Sequence, residues 1–189
     1  MRSPNHTPTP SLRRRWTAAL DQAPRLRFLV VFALSLGAVM ALFSQWQELF
    51  SRLYLQPVCE VSAALLNAVG VAARLDTGPA LQGYCTIAMA HVTFRVIHEC
   101  TGIFTLFIYL AAVSAYPTAA RYRLAGALAG SGAFFLYSAA RLVVLGAVSH
   151  LEPAWLPHLH AWLMVLTNLG FALFIWLVWV ERMGDRGRH

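Results

Sequence analysis

The tetrapeptide Glu99-Cys100-Thr101-Gly102 stands at the mouth of an apolar run covering residues 103–116. The run predicts a helix, so the thiol of Cys100 sits where a helix begins. Free N–H groups and the macrodipole at a helix N-terminus favour an anion, and thiolate is the nucleophilic form of cysteine. Thr101 suits a helix N-cap, and Gly102 allows close backbone approach. The N–H groups of Thr101, Gly102 and Ile103 are candidate donors to an oxyanion. The plainer alternative is that Cys100 packs as a small hydrophobe, as most free cysteines do.

Two further residues complete a constellation. Arg141 lies among Phe134, Phe135, Leu136, Leu142, Val143 and Val144. A charge in such surroundings costs at least about 2.5 kcal/mol on membrane-insertion scales, so it marks function unless it is half of an ion pair. Glu99 and Glu152 are the carboxylates that could supply one. As a fixed cation, Arg141 would face a developing oxyanion or a substrate carboxylate. His160 stands at the head of the last apolar run and suits a general base or acid. His150 and His158 flank it in sequence. His158 and His160 are two apart and would point to opposite faces of a helix, so no shared metal ion and no cofactor are expected. His91 and His98 read as solvent-facing strand or loop residues.

The elements that must hold these residues are membrane elements. The chain has 189 residues, 58% of them hydrophobic and 12% charged, with a mean hydropathy of +0.56. That is the composition of a membrane protein. All fifteen basic residues are arginine, and the net charge is +7. Four segments are apolar enough to span about 30 Å of hydrocarbon: 28–46, 101–116, 124–148 and 160–180. Eleven arginines flank them on one side: Arg2, Arg13, Arg14, Arg15, Arg25, Arg27, Arg121, Arg123, Arg182, Arg186 and Arg188. This is the positive-inside pattern, so both termini are assigned to the cytoplasm, and nucleic acid is not an expected partner. Residues 1–27 form a cytoplasmic arginine-rich tail whose following apolar run reads as a signal-anchor. Residues 28–180 form the membrane domain, and 181–189 a second cytoplasmic tail. Trp155, Trp162, Trp176 and Trp179 are interfacial or packing aromatics.

Between the first two spans lies a less apolar region. Within residues 49–75 the stretch 61–73 is mildly apolar and could be a fifth span, but Pro57, Glu60 and Asn67 argue against it, and the region predicts a helix lying in the outer interface. Asp76-Thr77-Gly78-Pro79 marks a turn. Residues 84–96 alternate and are rich in β-branched and aromatic types, which predicts a strand or hairpin arm leading to Cys100. The fold class is therefore an all-α polytopic membrane protein with about four transmembrane helices, an outer interfacial helix and a small β-like segment before Cys100. Of the three cysteines, Cys59 and Cys85 could pair and leave Cys100 free, or all three could be reduced.

The order Glu99-Cys100-Thr101-Gly102-Ile103, then Ala139-Ala140-Arg141-Leu142-Val143, then His160 after a short outer loop resembles the exosortase/archaeosortase family. The resemblance covers about residues 49–179. It implies a membrane cysteine protease or transpeptidase of the protein-sorting type, in a short form. The implied catalytic residues are Cys100, Arg141 and His160. The implied substrate is an exported protein bearing a C-terminal sorting signal: a short motif, a membrane helix and a basic tail. The implied surroundings are membrane lipid, and the implied second nucleophile is water or an acceptor amine on an envelope polymer. The active site would face outward from the cytoplasmic membrane.

A rival from another class is a non-catalytic polytopic subunit or a small anion transporter, in which Arg141 binds an anion and Cys100 only packs. A dithiol oxidoreductase is disfavoured, because no Cys-x-x-Cys occurs. The arginine distribution makes the topology testable. A periplasmic reporter fused after Arg123 should be inactive, and one fused after Trp155 active. Activity of the Arg123 fusion would overturn the orientation.

Overall fold

The computed structural model describes residues 24–90, 92–151 and 164–184. The chain enters helix α1, Pro24–Gln45, which is apolar nearly throughout. At Trp46 the backbone leaves the helical region (φ −122°, ψ 40°) and resumes as a single turn, α2, Gln47–Phe50. A π turn, Ser51–Leu55, then leads into α3, Gln56–Ala68. Pro57 sits in the first turn of α3 and has no N–H to give the preceding turn, which is wound wide there. The buried face of α3 is Val58, Cys59, Ser62, Ala63 and Leu66, one stripe at helical spacing.

The end of α3 is fixed by polar contacts. Gly70 takes a positive φ of 87°, and Val71 N–H returns to the Leu66 carbonyl at 2.9 Å. Asn67 donates to the carbonyls of Ala63 and Ala73 and accepts from Ala73 N–H. The asparagine that argues against a membrane span here ties the helix to a three-stranded antiparallel sheet. The strand order is β1 (Arg74–Asp76), β2 (Tyr84–Ala88), β3 (Thr93–Ile97). Its register pairs Leu75 with Ile87, Cys85 with Val96 and Thr86 with Arg95. The period-2 pattern turns Cys85, Ile87 and Val96 inward, into the core shared with Leu55, Val58, Cys59 and Leu66. On the other face Arg95 lies over the Tyr84 ring, 3.9 Å from its centroid. The stretch 84–96, expected as one strand or hairpin arm, is itself a hairpin of two strands, β2 and β3. The third strand, β1, is an addition: three residues are too few for alternation to be seen in the sequence.

Three more helices follow: α4, Ile103–Ala115; α5, Ala120–Leu151; and α6, Met164–Trp179, which runs into a π turn, Val180–Gly184. α4 packs against α1, α5 and α6, and α3 packs against α5. Two helices are long and apolar enough to cross a membrane, Pro24–Gln45 and Ala120–His150. The other two expected spans are shorter among the described residues. α4 has 13 residues and α6 has 16, about 20 and 24 Å at 1.5 Å per residue, against about 30 Å of hydrocarbon. Large apolar side chains stand exposed along α1 (Leu29, Leu34), α5 (Leu128, Leu136) and α6 (Leu169, Phe174).

Close packing of the helices depends on glycine. A Cβ at Gly130 would lie 2.1 Å from the Tyr109 ring. That ring cannot swing away freely, because its hydroxyl donates to the Gly126 carbonyl at 2.9 Å. Gly132, two residues on, has open space where its Cβ would point. Gly130→Ala should therefore lower stability by about 1–3 kcal/mol, the usual cost of overpacking. Gly132→Ala should be neutral or stabilising, since alanine is the better helix former. Thermal unfolding of both variants in detergent checks this, and equal melting temperatures would refute the packing argument.

Candidate active site

Cys100 does not sit inside the first turn of α4. It lies in a short 3-10 turn, His98–Thr101, between β3 and the helix. Gly102 then takes a left-handed conformation, φ 69°, and is itself the N-cap of α4. Thr101 is not the cap: its hydroxyl donates to the His98 carbonyl at 2.7 Å, closing the 3-10 turn. Gly102 N–H turns back to the Glu99 carbonyl at 3.4 Å, so it is drawn away from a role as oxyanion donor. Only glycine takes that φ without strain, which explains its place in the motif. Cys100 is partly buried and packs against the core that holds Cys59, Cys85 and Leu142.

The turn is held by a chain of hydroxyls. Tyr54 and Ser138 are hydrogen-bonded at 3.0 Å. The Ser138 hydroxyl, fully buried, reaches the carbonyls of both Thr101 and Phe134. Ser138 lies on α5 three residues before Arg141, on the same face by helical geometry. One stretch of α5 thus clamps the cysteine turn and carries the arginine.

Arg141 is 7% exposed. Its Nη1 donates to Oδ1 of Asn168 on α6. Its guanidinium carbon is 5.8 Å from the centre of the Tyr137 ring, and it is in electrostatic range of Cys100 and Tyr54. Among the described residues its Nε and Nη2 have no hydrogen-bond partner and no carboxylate pairs with it. Glu99, a neighbour in sequence to Cys100, is therefore not its counter-ion. Half of a planar donor fork is left over, in a place where an unsatisfied donor is costly.

Asn168 was not singled out by the sequence. Its Oδ1 would be 3.3 Å from a Cβ at Gly102, so it touches the cysteine turn as well as the arginine. Its position is set from the side by Tyr137, whose hydroxyl donates to Thr167 at 2.7 Å and whose ring stacks on Phe171 with centroids 4.1 Å apart. The available signal was Thr167-Asn168, a polar pair at the start of the otherwise apolar α6.

The histidines divide. His160 and His158 lie outside the described residues, as does His91. His150 is exposed at the end of α5. His98 is not solvent-facing, as its place after a strand had suggested: it is 3% exposed, with Nε2 3.2 Å from the Ser51 hydroxyl and its ring edge-on to Phe43. The strand's register turns it inward toward the α1–α2 break. Among the described residues no group of three or more histidine, cysteine or carboxylate side chains is arranged to hold a metal ion. A cleft of about 730 Å³ opens nearby, lined by Trp46, Glu48, Leu49, Arg52 and Leu81, but neither Cys100 nor Arg141 lines it.

Burial pushes the His98 imidazole below its usual range, and the neighbouring Glu99 opposes this only in part. The folded chain therefore holds His98 neutral while the unfolded chain binds a proton near pH 6.5. The unfolded state gains protons first, so stability is complete above pH 6.5 and is lost as the pH falls below it. Thermal melts should show a steeper loss between pH 7 and about 5 for the wild type than for His98→Gln, which cannot titrate there. Parallel pH profiles would rule the argument out.

Compared with protein-family models, curated proteins and solved structures, the chain shows no match.

Proposed function

We propose that the chain is a membrane cysteine protease or transpeptidase of the exosortase/archaeosortase type. In this reading it has four spans, both termini in the cytoplasm, and a site on the outer face of the cytoplasmic membrane. The observation that carries the reading is a buried guanidinium that keeps two donor atoms free among the described residues, three residues after the serine that clamps the Cys100 turn. The nucleophile and the cation come from different elements and share one clamp, Ser138. A structural arginine would instead have its donors spent on a carboxylate or on carbonyls.

The chemistry follows from those parts. The Cys100 thiolate attacks a peptide carbonyl just outside the substrate's own membrane helix. Negative charge develops on the carbonyl oxygen, and Nε and Nη2 of Arg141 present a planar fork for it. His160, at the head of the last span, protonates the leaving amine. The thioester on Cys100 is then released by water or by an acceptor amine. Asn168 holds the third corner of the guanidinium and so fixes where the fork points. The exposed leucines of α1, α5 and α6 support a lipid surround.

The test is a co-expressed exported protein ending in a short motif, an apolar span and an arginine-rich tail, with loss of a C-terminal tag as readout. Cys100→Ala and Cys100→Ser should abolish processing at unchanged protein level, whereas Cys59→Ala should at most lower yield. Arg141→Lys keeps the charge but loses the fork, so turnover should fall by about 10²–10³, the cost of one lost oxyanion donor. His160→Ala should cost far more than His150→Ala or His158→Ala. If Cys100→Ala retains processing, or Arg141→Lys is tolerated, the catalytic reading fails and an anion-binding role for Arg141 takes its place.

A further inference from the structure

The two cysteines that catalysis does not use are not merely core residues. Cys59 projects from α3 and Cys85 from β2, and both are fully buried in one cluster with Val58, Ile87 and Val96. α3 packs directly on β2. Cys85 is turned inward by the same alternation that buries Ile87, and its register partner is Val96. Each of the two thiols is the neighbour that most affects the titration of the other. Cys100 is only partly buried and packs against the edge of the same cluster.

We propose that Cys59 and Cys85 are an oxidisable dithiol whose disulfide pins α3 to the central strand of the sheet, leaving Cys100 as the free thiol. The shared burial of the two thiols supports this chemistry. Their mutual influence holds the Cys59 thiol protonated, well above the ordinary range, and lowers that of Cys85, so one sulfur of the pair is the better nucleophile. With a small disulfide such as oxidised glutathione, the Cys85 thiolate attacks one sulfur and expels a glutathione thiolate. The Cys59 thiol gives up its proton to that thiolate, and its sulfur attacks Cys85 Sγ in the mixed disulfide. The second glutathione leaves. The pair loses two electrons and two protons, and the oxidised glutathione becomes two thiols.

The bond would act where the fold is thinnest. Between the two cysteines lie the end of α3 and β1, an edge strand of three residues. Closing that stretch removes freedom from the unfolded chain and fastens the layer from which β3 leads to the Cys100 turn. It does not depend on Cys100 being a nucleophile, so the two readings can fail separately.

The full chain in detergent is incubated with oxidised glutathione, with and without a sub-denaturing dose of urea to open α3 from the sheet. It is then acid-quenched, alkylated under denaturing conditions and mapped by mass spectrometry without reduction. The expected result is one bridge joining the Cys59 and Cys85 peptides, with Cys100 alkylated. The bridge should also form in Cys100→Ala. Oxidation should raise the melting temperature of the wild type, dithiothreitol should reverse the rise, and Cys85→Ser should show neither change. Cys59 and Cys85 both alkylated after oxidant in both arms would overturn the proposal, as would a bridge to Cys100.

Discussion

A guanidinium held in an apolar layer is the constraint around which this protein is arranged. Arg141 cannot give up its proton in practice, so the surroundings must meet its charge or leave it costly. Asn168 meets one nitrogen, the Tyr137 ring covers a flank, and two donors remain open among the described residues. The contact with Asn168 requires α5 and α6 to lie side by side in one register. The stacking of Tyr137 on Phe171 and its bond to Thr167 keep that register. An enzyme that meets a transient oxyanion needs this kind of preorganised, incompletely satisfied donor, since donors already spent on protein would have nothing left to give.

Cys100 is positioned by different means. The Cys100 turn is short and carries a left-handed glycine, a conformation that holds only if its neighbours impose it. Three neighbours do. The sheet delivers the chain through β3, the Ser138 hydroxyl holds the Thr101 carbonyl, and His98 anchors the start of the turn against Ser51 and Phe43. The small sheet is therefore a positioning layer: it faces α3 with its inner side chains and hands the chain to the turn. A thiol on a long, solvated loop would lose that ordering entropy each time it reacted.

Much of this order was legible in the chain itself. The apolar runs and flanking arginines specify where helices α1, α4, α5 and α6 lie, because a long apolar run satisfies its own backbone within one segment by forming a helix, its surface then packed or turned to an apolar surround. The alternation before Cys100 specifies the hairpin. Cys100 and Arg141 stand out as residue types that the surrounding composition does not explain, and the Ser138 hydroxyl ties the turn of the one to the helix of the other.

What the sequence could not settle are properties that depend on long-range partners. Whether Thr101 caps a helix or closes a 3-10 turn depends on where Ser138 and Tyr54 draw the backbone. Whether His98 faces water depends on the break at Trp46, which brings Ser51 over it. Asn168 is an ordinary polar residue in an apolar run until α6 docks beside α5 and places its amide between Arg141 and Gly102. Local pattern determined the elements and the residues with chemical capacity. Only tertiary packing decided which donors are spent, which stay open and which thiols lie buried together, because those are distances between segments that no local preference encodes.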